Sequence, residues 1–225
     1  MSRVVVDIET LAFPLASFDR IQQDYLLKFA GTDEEKLETL KKLNLYPTTA
    51  QIIAIGMYNP DTERGKILFQ AEQSVDSFSD DETVHFVSGD ERTILTQFWE
   101  DVAKYGQFIT FNGRGFDCPF LLLRSAILQI KPTRDLLPYR YDASKHCDLL
   151  EQFTFYGAIR KFNLDFYCKA FGIESPKSHG VTGLDLGKLW EEKRFREIAE
   201  YCLGDLKATA ELFRRWENSL SFPRT

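Results

Sequence analysis

Val4-Val5-Val6-Asp7-Ile8-Glu9-Thr10 is a run of β-branched residues that favours a buried strand and ends in two carboxylates one residue apart. Side chains alternate faces along a strand, so Asp7 and Glu9 project to one side while Ile8 returns to the core. Two like charges on one face of a hydrophobic strand are costly unless a cation sits between them. Hard oxygen ligands of this kind suit magnesium or manganese. A plainer account is an exposed strand end carrying two solvated acids, and this segment alone does not separate the two.

The chain of 225 residues is long enough for one sizeable core with insertions. Its 44% hydrophobic and 28% charged content is that of an ordinary globular protein. It has no apolar stretch of membrane-spanning length and no signal-peptide pattern, so no membrane association is expected and the cytoplasm is the default location. Cys118, Cys147, Cys168 and Cys202 form no C-x-x-C pair, and His85, His146 and His179 complete no zinc pattern. The cysteines are therefore expected to be reduced core residues. Net charge is −6, unevenly spread. Residues 61–101 hold eleven acids against three bases, whereas residues 124–177 hold nine bases against six acids. That asymmetry leaves room for an anionic partner on one side, although two solvated surfaces would explain it as well.

After the first strand comes an excursion over residues 11–49. Apolar residues at helical spacing (Phe18, Ile21, Tyr25, Phe29, then Leu37, Leu40, Leu43) predict helices over 17–30 and 32–43. Residues 51–58 and 66–70 read as strands around the Asn59-Pro60-Asp61 turn, with 83–87 as a third strand of the same meander. Asp90 caps a predicted helix to about residue 105, and a short strand at 107–111 precedes a helix at 118–130. Residues 147–150 read as a further strand, and 164–171, 184–190 and 194–217 as helices. The pattern is a meander followed by α/β alternation, hence a mixed sheet covered by helices.

Two later segments again place acids at the ends of structured elements. In Phe111-Asn112-Gly113-Arg114-Gly115-Phe116-Asp117 a strand ends, a glycine-containing loop turns, and Asp117 enters a helix. A capping or helix-dipole role would account for Asp117 alone. In Tyr201-Cys202-Leu203-Gly204-Asp205 the i and i+4 positions share a helix face, so the phenol and the carboxylate address one point.

In chain order these segments give Asp-x-Glu, Asn-x4-Asp and Tyr-x3-Asp on successive elements. The set resembles the DEDD superfamily of 3′–5′ exonucleases, which have the ribonuclease H-like fold. It is most similar to the proofreading exonuclease domain of family-B DNA polymerases and its free-standing relatives. Asp7 and Glu9 match the first motif, Asn112 and Asp117 the second, Tyr201 and Asp205 the third. The tyrosine four residues before the last Asp marks the tyrosine (DEDDy) subclass, since the histidine subclass would place its His at the position of Glu200. Cys118-Pro119-Phe120-Leu121, Asp148-Leu149 and the segment from Phe171 to Lys177 extend the similarity.

The resemblance implies an α/β, ribonuclease H-like mixed five-stranded sheet, a three-strand antiparallel meander plus parallel strands, with a helical insertion after strand 1. Residues 1–225 would form a single exonuclease domain with the insertion at about 11–49. It further implies a metal-dependent 3′–5′ exonuclease acting on nucleic acid, single-stranded DNA first, through two divalent cations, Mg2+ or Mn2+, with release of nucleoside monophosphates. Asp7, Glu9 and Asp205 would hold one metal, with Asp7 bridging to a second supported by Asp117, and Tyr201 would orient the attacking water. Thr10 and Leu11 resemble the region that contacts the terminal nucleotide, and Asn112 and Lys177 are candidate phosphate or sugar contacts. An RNA-directed exonuclease, an endonuclease of the same fold and a non-catalytic nucleic-acid-binding module are the alternatives; Tyr-x3-Asp speaks against the endonuclease. The insertion departs from a plain proofreading domain and leaves room for a protein partner or self-association, and without a polymerase module a proofreading role is not carried over.

Overall fold

β1 (Arg3–Ala12) carries the opening segment, and its neighbours explain both of its faces. The computed structural model describes residues 2–175, 183 and 185–221. After β1, α1 (Arg20–Leu26) and α2 (Asp33–Lys42) form the excursion, which returns through a 3-10 turn at Leu43–Leu45. Next come β2 (Ala50–Tyr58), β3 (Gly65–Gln70), β4 (Asp76–Phe78) and β5 (Val84–Gly89), then α3 (Glu91–Val102), β6 (Gln107–Thr110) and α4 (Asp117–Ile127). The chain closes with β7 (His146–Asp148), α5 (Leu149–Phe153), α6 (Leu164–Ala170), α7 (Leu186–Glu191) and the long α8 (Phe195–Ser219).

The strands make one seven-stranded sheet in the order β4-β5-β3-β2-β1-β6-β7. β1, β2 and β3 form the antiparallel meander, and β6 and β7 add in parallel beside β1. This mixed α/β sheet is the expected ribonuclease H-like class, with seven strands where five were expected. The difference lies at the outer edge. Residues 84–89 do not continue the meander: β5 runs parallel to β3, and the short β4 pairs antiparallel to β5 outside it. Parallel pairing needs a crossover, and residues 71–83 provide one, containing β4, which the sequence does not announce. The strand expected at 147–150 is also shorter, because Asp148 accepts from the backbone of Leu150 and Glu151 and starts α5 there.

Each face of the sheet has its own core. Val4, Val6 and Ile8 pack with Phe98 and Trp99 of α3 and Phe120 of α4. Val5, on the alternate face, packs with Cys202, Leu206 and Phe213 of α8. Asp7 and Glu9 share that second face by the two-residue period of the strand, so α8 lies across the acids. Beyond Glu9 the register slips: Glu9 faces Ala54 but Thr10 faces Ile52, leaving Ile53 as an extra residue in β2.

The excursion departs most from expectation. Asp19 with Gln22 and Thr32 with Glu35 form capping boxes that start α1 and α2, but neither helix buries a residue. The helix expected over 17–30 is confined to α1, and Ile21, Tyr25 and Phe29 are 81%, 76% and 89% exposed. The apolar spacing is helical, but among the described residues no second element covers it. The excursion is anchored at its ends, by the Phe13 N–H donating to Thr49 O (2.9 Å), by buried Leu43, by the Thr49 hydroxyl donating to Leu43 O (2.7 Å), and by the Thr10 hydroxyl donating to Asn44 O (2.7 Å). Among the described residues no helix is long and apolar enough to cross a membrane.

Candidate active site

Three elements bring the sequence-predicted acids to one place. Asp7 and Glu9 come from β1, and their carboxylate oxygens and the Cys202 Sγ of α8 all lie within 4.8 Å of one another. Asp117, the first residue of α4, accepts the Ile8 backbone N–H at 3.1 Å, between the two β1 acids. This long-range bond, beyond any role at the start of its own helix, ties the second motif to the first. Asp205 lies one turn beyond Tyr201 on α8, on the same helix face, and its charge acts on the Tyr201 hydroxyl.

The electrostatics follow from that crowding. Burial and the charges of Asp117, Glu9 and Asp205 push the Asp7 carboxyl well above its usual range. Burial, Asp205 and Asp117 do the same to Glu9. Burial raises Asp117 to about 7, against the pull of the backbone amides it accepts from. Burial and then the neighbouring acids raise Tyr201 and hold Cys202 as a thiol. Among the described residues no lysine, arginine or histidine forms an ion pair with Asp7, Glu9 or Asp117. A set of desolvated, mutually repelling hard oxygens without an internal cation fits divalent cations such as magnesium or manganese. The protonated Cys202 thiol, 3.9 Å from Asp7 Oδ2, is a neighbour of this set and a poor match to such ions.

Two residues that sequence reasoning did not assign to the site build its frame. Asp148 accepts the Asn112 N–H at 3.0 Å and the Arg114 N–H at 2.9 Å, which pins the loop that delivers Asp117. Within that loop Asn112 is left-handed (φ 65°), and a Cβ on Gly113 would lie 2.4 Å from the Thr110 hydroxyl. Gly56 faces Asp7 directly across β1 and β2. A Cβ there would come within 2.4 Å of Leu206 and 2.8 Å of Cys202 Sγ, so glycine lets α8 settle close to the acids. No local pattern marks Gly56. In the sequence Asp148 figures only within the strand expected at 147–150 and in the Asp148-Leu149 pair of the resemblance.

The remaining expected residues separate. Thr10 lines the groove beside Glu9, but its hydroxyl is committed to Asn44 O. Leu11 packs against the α8-side core, and Asn112 sits in the loop above. Lys177 lies outside the described residues. Adjoining Glu9 is an open groove of about 590 Å3, lined by Glu9, Tyr201, Phe116 and Leu186 together with residues of the excursion.

A family model described as a predicted 3′–5′ exonuclease related to the exonuclease domain of PolB matches residues 48–220. DNA polymerase 1 of Sulfurisphaera ohwakuensis is 25% identical over 157 residues, which take in 62% of this chain and 18% of that polymerase. DNA polymerase 1 of Sulfolobus acidocaldarius is 25% identical over 177 residues, covering 72% of this chain and 19% of its own length. The chain thus spans less than a fifth of the length of these curated relatives. In fold it is similar to the family B DNA polymerase of the hyperthermophilic archaeon Pyrobaculum calidifontis, with a TM-score of 0.61 and 17% identity over 96% of this chain and 24% of that one.

Proposed function

The chain belongs to the family of predicted 3′–5′ exonucleases related to the exonuclease domain of PolB, and we propose that it hydrolyses single-stranded DNA from the 3′ end, releasing nucleoside monophosphates with the help of two divalent cations. The observation that carries this reading is the meeting of the Asp7 and Glu9 carboxylates within 4.8 Å, with Asp117 bound to the Ile8 amide between them, no basic ion-pair partner among the described residues, and Tyr201 and Asp205 alongside. In this reading residues 1–225 act as one exonuclease domain.

Asp7, Glu9 and Asp205 would hold one cation, and Asp117 with Asp7 a second. Such ions supply neutralisation of the charge developing on the phosphate and acidification of the attacking water. The protein positions. Asp117 fixes the β1 backbone between Asp7 and Glu9 through the Ile8 amide, so the first two acids hold their spacing. Tyr201, with its pKa raised by burial and then by the neighbouring acids, remains a neutral phenol one helical turn from Asp205. It therefore orients the water as a hydrogen-bonding group and does not remove its proton. Phe116 and Leu186 give the groove an apolar side against which sugar and base pack.

The test uses 5′-labelled single-stranded DNA and RNA, with and without a 3′ block, in magnesium, manganese and EDTA, with Asp7→Ala as control. A ladder shortening from the free 3′ end of DNA, lost in EDTA and in the variant, is the expected result. Faster trimming of RNA would move the substrate, internal cuts would make it an endonuclease, and no metal-dependent cleavage of either polymer would sink the reading.

A further inference from the structure

We propose that the excursion between β1 and β2 is the outer wall of the substrate channel, with Lys41 and Lys42 contacting phosphates of the incoming single strand behind its 3′ end. This rests on the exonuclease reading above. The groove that contains Glu9 and Tyr201 is bounded on its far side by Glu38, Lys41, Lys42, Asn44 and Leu45, all from α2 and the turn after it. Residues outside the family match, Glu9 among them, therefore form two thirds of the groove lining, since that match begins at residue 48.

The wall is held to the acidic strand. The Thr10 hydroxyl, next in sequence to Glu9, donates to Asn44 O, and Arg124 donates to Pro47 O at 3.1 Å. Its position relative to the acids is thus set by the strand that carries them. Lysines in the last turn of a helix are favoured by the helix dipole alone. That preference does not account for both facing a groove that leads to the carboxylates.

The charges are available. Lys42 is exposed and forms no ion pair among the described residues. Lys41 pairs with Glu38 at 2.7 Å, but both are about half exposed, and such surface pairs are worth little and exchange readily for a phosphate. A polyanion entering an acidic site meets repulsion from the acids it approaches. Two lysines opposite those acids offset it at the neighbouring phosphates.

The test compares wild type with Lys41→Ala/Lys42→Ala, using 5′-labelled decathymidylate and a thymidine dinucleotide. In EDTA, binding of the decamer is followed against salt concentration; in magnesium, KM and kcat are measured for both lengths. Loss of two phosphate contacts predicts a decamer KM raised about five- to tenfold and a log–log salt slope shallower by about 1.4. The dinucleotide KM should move far less, which a general loss of folding would not produce. Lys41→Glu/Lys42→Glu should deepen the decamer defect. Unchanged decamer KM and salt slope in both variants, with wild-type hydrolysis intact, would overturn the wall and leave the exonuclease reading standing. Binding with the predicted slope change but no hydrolysis by wild type would do the reverse.

Discussion

Glu9 and Glu91 are both buried glutamates beside β2, and the fold treats them in opposite ways. Glu91 Oε1 accepts the Ile52 N–H and Arg124 Nε, each at 2.8 Å, and Oε2 accepts Arg124 Nη2 at 2.6 Å. Its charge is closed inside the chain. Glu9 faces Ala54, two residues along the same strand, among acids, with no ion-pair partner among the described residues. The contrast separates a carboxylate used to staple α3 to the sheet from one held for something that arrives from outside.

The largest expected effect concerns the open cluster. Asp7→Asn should lower kcat on the order of 10⁴-fold, about 5 kcal/mol of transition-state stabilisation, by steady-state assay in magnesium. A variant within tenfold of wild type would erase the functional half of the contrast. Next comes the closed pair. Arg124→Met leaves Glu91 buried without its cation and should cost about 3–5 kcal/mol in denaturant unfolding. A loss under about 1 kcal/mol would mean that Glu91 is not held as a charge.

His146 tests the same logic with the sign reversed. Burial first, then the Arg114 charge, lowers its pKa to about 3, and it sits 2.8 Å from the Thr110 hydroxyl as a neutral ring. The unfolded chain binds that proton below about pH 6.5 while the native state does not until about pH 3. Stability therefore falls as pH falls through that window, by about 1.4 kcal/mol per unit. Between pH 6 and 4.5 the His146→Gln variant should show a flatter dependence by roughly 2 kcal/mol in total. An identical slope would show that His146 does not carry it. The smallest effect returns to the acids. In EDTA, Asp7→Asn should raise stability by about 1 kcal/mol through relief of like-charge burial, a Tm gain of roughly 2–4 °C. A metal-free protein made less stable by this change would mean that Asp7 is already compensated from within.

What the sequence made legible was local. Asp-x-Glu on the first strand, an acid entering α4 and Tyr-x3-Asp on α8 are patterns of period and spacing, and each fell on the expected element, although β1 does not end at the acids but runs on to Ala12. What it hid depends on partners far along the chain. The parallel docking of β5 on β3 follows from a crossover, and α1 has the spacing of a packed helix without a partner surface. Asp148 works through amides 34 and 36 residues away. The wall of the groove was in the segment least like the family pattern, where resemblance had nothing to say.

Gly56 carries a consequence for how this protein tolerates change. It lines no part of the groove, yet the one hydrogen in place of a side chain sets how near α8 approaches Asp7. A selection for activity would therefore reject substitutions here as sharply as at an acid. A reader of that mutational map would find a glycine in mid-strand, with no side chain to touch substrate, behaving as though it did chemistry.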